Sequence, residues 1–218
     1  MNQVGRVAGA LAGLALLAAP ARAQGLVGST HDFYSGSNTS YNFMSMSYQT
    51  CSACHTAHNA VATDAPLWNH TATVGPWTMY TSTVSATLDN VVAGTPQGVS
   101  KACLGCHDGT VAVNSVRGQI ITNANAPAAF FIEPGADAYI GTDLTNDHPV
   151  SVTYDNTVDK KLNDPTTVRT VFPLYGASKN QVECGSCHDP HTPTGSGLYL
   201  RSYTSTGKQT RCLVCHNK

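Results

Sequence analysis

All eight cysteines of this chain occur in four copies of one pattern, Cys-x-x-Cys-His. In c-type haem proteins the two thiols of this pattern bond to the porphyrin edge, and the adjacent histidine ligates the iron. A zinc site or a disulfide would explain the paired cysteines but not a histidine at the next position in every copy. We therefore expect four covalent haems. The expected attachment residues are Cys51, Cys54, Cys103, Cys106, Cys184, Cys187, Cys212 and Cys215, and the expected proximal ligands are His55, His107, His188 and His216.

The first residues have the organisation of an export signal. A short segment containing Arg6 is followed by an apolar run from Val7 to Ala19 and by the small-x-small site Ala21-Arg22-Ala23. This pattern predicts a signal peptide over residues 1–23 and a mature tetrahaem domain over residues 24–218. The apolar run is too short to span a bilayer, so we expect no membrane span. Because covalent haem attachment normally takes place outside the cytoplasm, the signal and the motifs support each other.

Composition indicates a loop-rich domain. Charged residues make up 11% of the chain and the formal net charge is −1, which excludes a basic nucleic-acid surface. Stretches rich in Ser, Thr, Asn and Gly, such as 35–40, 71–83 and 192–205, are typical of loops. We predict mostly coil with short helices and few short strands, organised around a stacked haem chain. Each motif should lie on about one helical turn, and alternation at Val150–Tyr154 predicts a strand.

Five further histidines could supply the sixth iron ligands. They are His31, His58, His70, His148 and His191. His58 and His191 each lie three residues after a proximal histidine, and at helical spacing such a pair shares one face. The second histidine then cannot reach the far side of its neighbour's haem, but it can ligate a different haem packed alongside. We therefore predict that His58 and His191 are distal ligands.

The other candidates are ranked by their neighbours. Pro149 restricts His148 to an extended backbone that projects its ring rigidly, so we predict that His148 is a ligand oriented by Asp147 or by a backbone carbonyl. His70 is either a ligand or a structural residue, and we favour packing beside Trp68 or a hydrogen bond to a propionate. Methionine ligation is unnecessary with so many histidines. Ligation by two histidines predicts low haem potentials.

His31 and the last haem motif lie near opposite ends of the mature chain. His31 stands twenty residues before the first motif, and the chain ends two residues after His216. His31 could fold back within its own subunit or reach the terminal haem of the next subunit. The second possibility makes a head-to-tail contact that does not close, which generates a filament.

The ordered motifs of the mature chain resemble one family. The matching segments are CSACHTAHN (51–59), PLWN (66–69), PQG (96–98), CLGCHDGT (103–110), NDHPVS (146–151), CGSCHDPH (184–191) and the C-terminal residues from Cys212. They are similar to those of the extracellular tetrahaem cytochromes that polymerise into conductive filaments, the OmcE-like nanowire cytochromes. The resemblance implies bis-histidine ligation of every haem, an unbroken haem stack, and one axial histidine donated by the adjacent subunit. That donor would map to His31, and the remaining distal ligands match His58, His148 and His191.

Three functions fit a tetrahaem chain. We favour a non-enzymatic electron conduit: a head-to-tail filament, outside the cell or at its surface, between redox donor and acceptor proteins or minerals. The alternative is a monomeric periplasmic shuttle whose ligands are all internal. A multihaem reductase is a weaker hypothesis, because the surplus of histidines leaves no open iron position and no basic cluster gathers anions. On the filament hypothesis, His31→Ala would take up four haems without polymerising.

Overall fold

The computed structural model describes residues 25–34, 42–44, 50–61, 65–192, 199–201 and 208–217. The predicted signal peptide and the loops predicted at 35–40 and over most of 192–205 lie outside these residues. The described part is mostly coil, as predicted. Its regular elements are a 3-10 helix Thr50–Ala53, α1 Gly98–His107, β1 Ser115–Val116, β2 Gln119–Ile120, β3 Val152–Thr153, α2 Pro165–Val168, β4 Gln181–Val182, α3 Cys184–Cys187 and α4 Lys208–Cys215.

The strands form two small antiparallel pairs. In β1–β2, Ser115 lies opposite Ile120, and the two residues of the connecting turn, Arg117 and Gly118, have φ of 49° and 79°. Positive φ at both turn residues matches the right-handed twist of a two-residue hairpin. In β3–β4, Val152 lies opposite Val182. The predicted strand at 150–154 is therefore confirmed over Val152–Thr153.

Two apolar cores support the cysteine motifs. The first core contains Phe33, Phe43, Ala53, Val113, Ala126 and Ile132, and Cys54 and Cys106 pack against it. The second contains Val152, Tyr154, Val168, Phe172, Leu174 and Val182, and Val214 and Cys215 pack against it. The first core therefore lies beneath the first and second motifs, and the second core lies beneath the fourth.

Helices α1 and α3 bring the second and third motifs together. The backbone N–H of Cys184 donates to Ser100 Oγ over 2.8 Å. Gly185 allows this approach, because a Cβ at its position would lie 2.9 Å from Val99 Cγ2 and 2.6 Å from the Tyr175 hydroxyl. The residue directly after the first cysteine of the third motif, Gly185, must therefore be small for the two helices to pack.

The helices that contain the motifs vary more in length than predicted. The second motif occupies the end of the ten-residue α1, and the fourth lies on α4 with eight residues, whereas the third has the single short turn α3. In the described residues, no helix has both the length and the apolarity needed to cross a membrane.

Asn114 fastens the β1–β2 hairpin to the segment that follows it. Its side chain is fully buried, and its Nδ2 donates to Ile121 O and Ala128 O over 2.8 and 2.9 Å. Its Oδ1 accepts from the backbone N–H of Phe130 over 3.3 Å. The hairpin and the 128–130 segment are therefore joined through one amide.

We expect Asn114→Asp to lower the free energy of unfolding by about 2–3 kcal/mol, because a carboxylate cannot donate to the two buried carbonyl groups. Denaturant titration of the haem-loaded protein measures the loss. The exposed Asn125 provides the matched control, and Asn125→Asp should change stability by less than about 0.5 kcal/mol. Equal effects of the two variants would contradict the assignment.

Candidate metal-binding histidine pairs

Three of the four motif histidines are fixed by the same backbone device. The residue after the histidine donates its N–H to a distant strand-like segment, and the carbonyl of the second cysteine accepts a bond from that segment. We call this pair of bonds the bridge. The bridges join His55 to Trp68, His188 to Leu200 and His216 to Leu162. Their hydrogen bonds run from Thr56 N to Leu67 O (2.8 Å) and Asn69 N to Cys54 O (2.8 Å), from Asp189 N to Tyr199 O (2.7 Å) and Arg201 N to Cys187 O (2.8 Å), and from Asn217 N to Lys161 O (2.6 Å) and Asn163 N to Cys215 O (2.8 Å).

Each bridge is reinforced by the side chain of the residue that follows the bridging position. Asn69 Nδ2 donates to Ser52 O, Asn163 Nδ2 donates to Leu213 O over 2.9 Å, and Arg201 Nε donates to Gly185 O over 2.9 Å. The acceptor in every case is the residue immediately after the first cysteine of the motif. We call Asn69, Asn163 and Arg201 the clamp residues. Sequence reasoning missed them, because they lie far from their motifs in the chain.

Backbone carbonyl groups orient the motif imidazoles. His55 Nδ1 donates to Pro66 O and His107 Nδ1 donates to Ala138 O, each over 2.7 Å. Because a carbonyl can only accept, the proton lies on Nδ1 and the lone pair lies on Nε2. This is the tautomer in which imidazole binds a metal through Nε2 while its other nitrogen is held.

Three of the four motif histidines face a histidine from elsewhere in the chain. The pairs, with the distances between their ring centres, are His55 with His191 (6.0 Å), His107 with His31 (6.1 Å) and His216 with His148 (6.3 Å). A metal–imidazole bond is about 2.0 Å long and the ring centre lies ~1.1 Å beyond the nitrogen, so two imidazoles on opposite sides of one metal ion have centres roughly 6 Å apart. Each pair therefore has the separation that one six-coordinate iron requires.

His191 pairs with the first motif rather than with its own. His188, the histidine of the third motif, is extended, with φ −112° and ψ 142°. Pro190 also disfavours a helix at Asp189. The predicted helical spacing is therefore wrong for His188 and His191. The predicted consequence, a second histidine directed to a different motif, fits the 6.0 Å separation from His55.

His31 is folded back into its own subunit. Asp32, 2% exposed, accepts hydrogen bonds from Gly28 N (2.7 Å) and Thr50 Oγ1 (3.0 Å), and Thr50 directly precedes the first motif. The His31 ring lies 4.7 Å from that of Tyr199. These contacts place His31 against His107 of the same chain, and donation of His31 to an adjacent subunit stays a prediction.

The environment of His31 suits a metal ligand. Its buried Nδ1 has no hydrogen-bond partner among the described residues. Burial, followed by the nearby His107 and His191, lowers the pKa of His31 to about 4. The ring is therefore neutral, which is the form that binds a metal. All eight cysteines have free thiols, so the second motif, like the others, has the two thiols that covalent haem attachment requires.

The two remaining histidines differ sharply. His70 is 3% exposed, its Nδ1 lies 2.8 Å from Thr71 O, and its Nε2 lies 3.0 Å from Ala112 O and 3.3 Å from Cys106 Sγ. Burial lowers the pKa of His70, so the ring is neutral and its single N–H donates to one of the two carbonyl groups. This environment, with Trp68 nearby, supports the structural role that the sequence favours. His58 is exposed, and its ring makes no hydrogen bond or ring contact with the described residues.

His148 is held by a backbone carbonyl rather than by Asp147. Its Nδ1 lies 3.0 Å from Pro149 O, and its ring is exposed beside His216. A carbonyl acceptor again leaves Nε2 with its lone pair. Of the two orienting groups that the sequence left open, the structure supports the carbonyl.

The cysteines of successive motifs lie close together. Burial raises the pKa of Cys106, and Cys54 of the first motif raises it further. The Cys103 thiol donates to Cys184, which raises the pKa of Cys103 and lowers that of Cys184. Burial, followed by Cys187 and Cys212, raises the pKa of Cys215 to about 11. Cysteines of the first and second, the second and third, and the third and fourth motifs therefore lie close enough to influence one another's ionisation.

Comparison with known proteins provides no family for the chain. No protein-family model matches it, and no curated protein matches it at a significant level. Among the described residues there is also no group of three or more His, Cys, Asp or Glu side chains arranged to hold a metal ion. The function must therefore be argued from the motifs and the paired imidazoles.

We expect His70→Phe to lower the free energy of unfolding by about 1–3 kcal/mol, because whichever of the Thr71 and Ala112 carbonyl groups accepts the ring N–H loses its donor. Optical and EPR spectra should contain no new high-spin haem signal. His148→Phe is the control, since loss of a ligand should produce such a signal. A high-spin haem in the His70 variant would contradict its structural role.

Proposed function

We propose that this chain is a tetrahaem c-type cytochrome that carries electrons and is not an enzyme. The three imidazole pairs are the observation that supports the proposal, because each joins a motif histidine to a predicted distal histidine at 6.0–6.3 Å. A bound haem iron exchanges one electron between its ferric and ferrous states. Two imidazoles on one iron leave no position for a substrate, which argues against the reductase hypothesis.

On this proposal, the pairs support an assignment of three of the four sixth ligands. His191 serves the haem attached to the first motif, His31 that of the second, and His148 that of the fourth. His58 is the remaining candidate for the haem of the third motif, since both nitrogens of His70 lie against backbone carbonyl groups. Its exposed ring is accessible to a haem of its own subunit or of a neighbouring copy.

The residues around the pairs favour low potentials. The carbonyl groups of Pro66 and Ala138 hold the Nδ1 protons of His55 and His107, which makes these ligands more basic. A more basic axial ligand stabilises ferric iron, and the second histidine acts in the same direction. The apolar core beneath the first and second motifs acts in the opposite direction, because keeping water from one side of the haems disfavours the more positively charged ferric form.

The arrangement of the motifs supports a conduit. Attachment points that adjoin in sequence order would place four haems in a row through the subunit. Cys51 of the first motif, Cys187 of the third and Cys212 of the fourth are exposed, so haems at both ends and within the row would have an edge near the surface. We propose that copies join end to end into a filament, outside the cell or at its surface, that passes electrons to external proteins or minerals.

A periplasmic shuttle is the second candidate. The position of His31 favours it, because a ligand that folds back on His107 removes the inter-subunit bond proposed for that residue. The remaining histidine, His58, then determines whether ligation also links subunits. The ligand variants and the state of assembly together separate the two candidates.

We expect His31→Ala, His148→Ala and His191→Ala each to retain four covalent haems and to convert one of them from low spin to high spin, because each loses one sixth ligand. Haem content by pyridine haemochrome and mass spectrometry, with EPR for spin state, measures both quantities on dispersed monomers. A His31 variant whose haems all stay low-spin as a monomer would contradict the internal pairing with His107.

We expect native protein to form filaments by electron microscopy, with all four haems low-spin. If His58 links subunits, dispersed wild-type monomers should contain one high-spin haem that becomes low-spin on assembly, and His58→Ala should abolish that change. If the native protein is a homogeneous monomer with four low-spin haems, the filament is wrong and the shuttle is the function.

A further inference from the structure

The third motif carries an ion pair at positions that are neutral in the other bridged motifs. Arg201 Nη1 lies 3.1 Å from Asp189 Oδ2. The residue after the motif histidine is Thr56 in the first motif and Asn217 in the fourth, and the clamp residue is asparagine in both. The main-chain bonds of the bridge are the same in all three.

The ion pair is therefore not required to build the bridge. Asparagine clamps make the same bond to the motif carbonyl that Arg201 makes, as Asn163 does over 2.9 Å. The side chains of Arg201 and Asp189 are 27% and 22% exposed, and a partly exposed ion pair contributes little to stability. Because the other bridged motifs fold without an ion pair, we looked to the surroundings of Asp189 and Arg201 for a role other than stabilising the fold.

The Asp189 carboxylate faces His191, one of the proposed iron ligands. Asp189 Oδ1 lies 3.4 Å from Nδ1 of His191, the ring that faces His55. The same oxygen accepts the backbone N–H of His191 over 3.0 Å, which fixes the carboxylate relative to the ring. His55, His107 and His148 present Nδ1 to neutral carbonyl groups instead. Among these four rings, His191 is the one whose Nδ1 faces a carboxylate oxygen.

We propose that Asp189 lowers the redox potential of the haem ligated by His55 and His191, and that Arg201 limits this effect. A negative charge behind an axial imidazole increases its basicity and stabilises the additional positive charge of ferric iron. Arg201 draws part of that charge away through its contact with the other carboxylate oxygen. Asp189 is thus a positioning residue that acts through His191, and the inference rests on the proposed haem function.

Asp189→Asn provides the test, because asparagine retains the oxygen that accepts from His191 N while removing the charge. In the tetrahaem protein, spectroelectrochemistry should show the largest shift, upward, at one haem. At a fixed electrode potential its ratio of reduced to oxidised iron should rise by up to about tenfold, which corresponds to ~59 mV. His191→Met identifies that haem, since methionine ligation raises its potential strongly.

Two further variants make the result specific. Arg201→Asn places the clamp residue of the first and fourth motifs in the third and should move the same haem downward, opposite to Asp189→Asn. Asp155→Asn is the matched control: this exposed carboxylate also accepts from the residue two positions on, Thr157, over 2.8 Å, and its removal should shift no haem.

The inference is wrong if Asp189→Asn leaves that haem unchanged, lowers its potential, shifts another haem more, or produces a high-spin signal, since the last result would mean that the carboxylate places the ligand. Equal shifts in the Asp155 control would also overturn it, as a general charge effect. Failure of the proposed function has a different signature, namely a chain without four covalent haems.

Discussion

The bridge behind the motif histidine is the constraint on which the first, third and fourth motifs depend, whereas His107 lies at the end of α1 and its carbonyl accepts from Ile140 N. A Cys-x-x-Cys-His segment contains too few residues to direct its own imidazole, because its short helical turn ends at or near the histidine. The bridge supplies the missing restraint by pairing the backbone on both sides of that residue with a distant segment. Once the backbone is fixed, a carbonyl such as Pro66 O can hold Nδ1 and leave Nε2 directed outward.

The bridges also carry backbone strain. Leu67 and Tyr199, which directly precede the bridging residues of the first and third motifs, both have φ of 53°. A non-glycine residue in this region costs about 1–3 kcal/mol, so the conformation must be compensated by its surroundings. The compensating contacts are the bridge hydrogen bonds and the clamp side chains. The repeated conformation indicates that the first and third motifs are built as two versions of one unit.

The two units differ where electrostatics would matter most. The neutral Thr56 and Asn69 of the first motif correspond to the charged Asp189 and Arg201 of the third. In the proposed conduit, a charge behind one axial ligand would change the potential of that haem while leaving the bridge hydrogen bonds in place. The low charge content of the chain, 11%, makes such a pair stand out against a largely neutral surface.

Much of the candidate site is local in the sequence and could be read from it. The motifs named the attachment residues and the proximal histidines, and counting the others named the distal candidates. The loop-rich composition correctly indicated a chain of short elements, and alternation found the strand at Val152–Thr153. The predictions of short elements and of the strand succeed because backbone propensity and periodicity depend on residues that are close together in the chain. The motifs are local in the same sense, since each spans five residues.

Which histidine faces which motif depended on tertiary structure. His31 and His107 are separated by more than seventy residues, and nothing near either one specifies the other. Their approach depends on Asp32 bonding to Thr50 and on Tyr199 packing against His31. The clamp residues could not be predicted for the same reason, since the hydrogen bond from Asn163 to Leu213 produces no local sequence pattern. The sequence by itself determined which histidines are candidate ligands, and the tertiary structure decided which of them lie together, because such approaches are set by contacts between segments far apart in the chain.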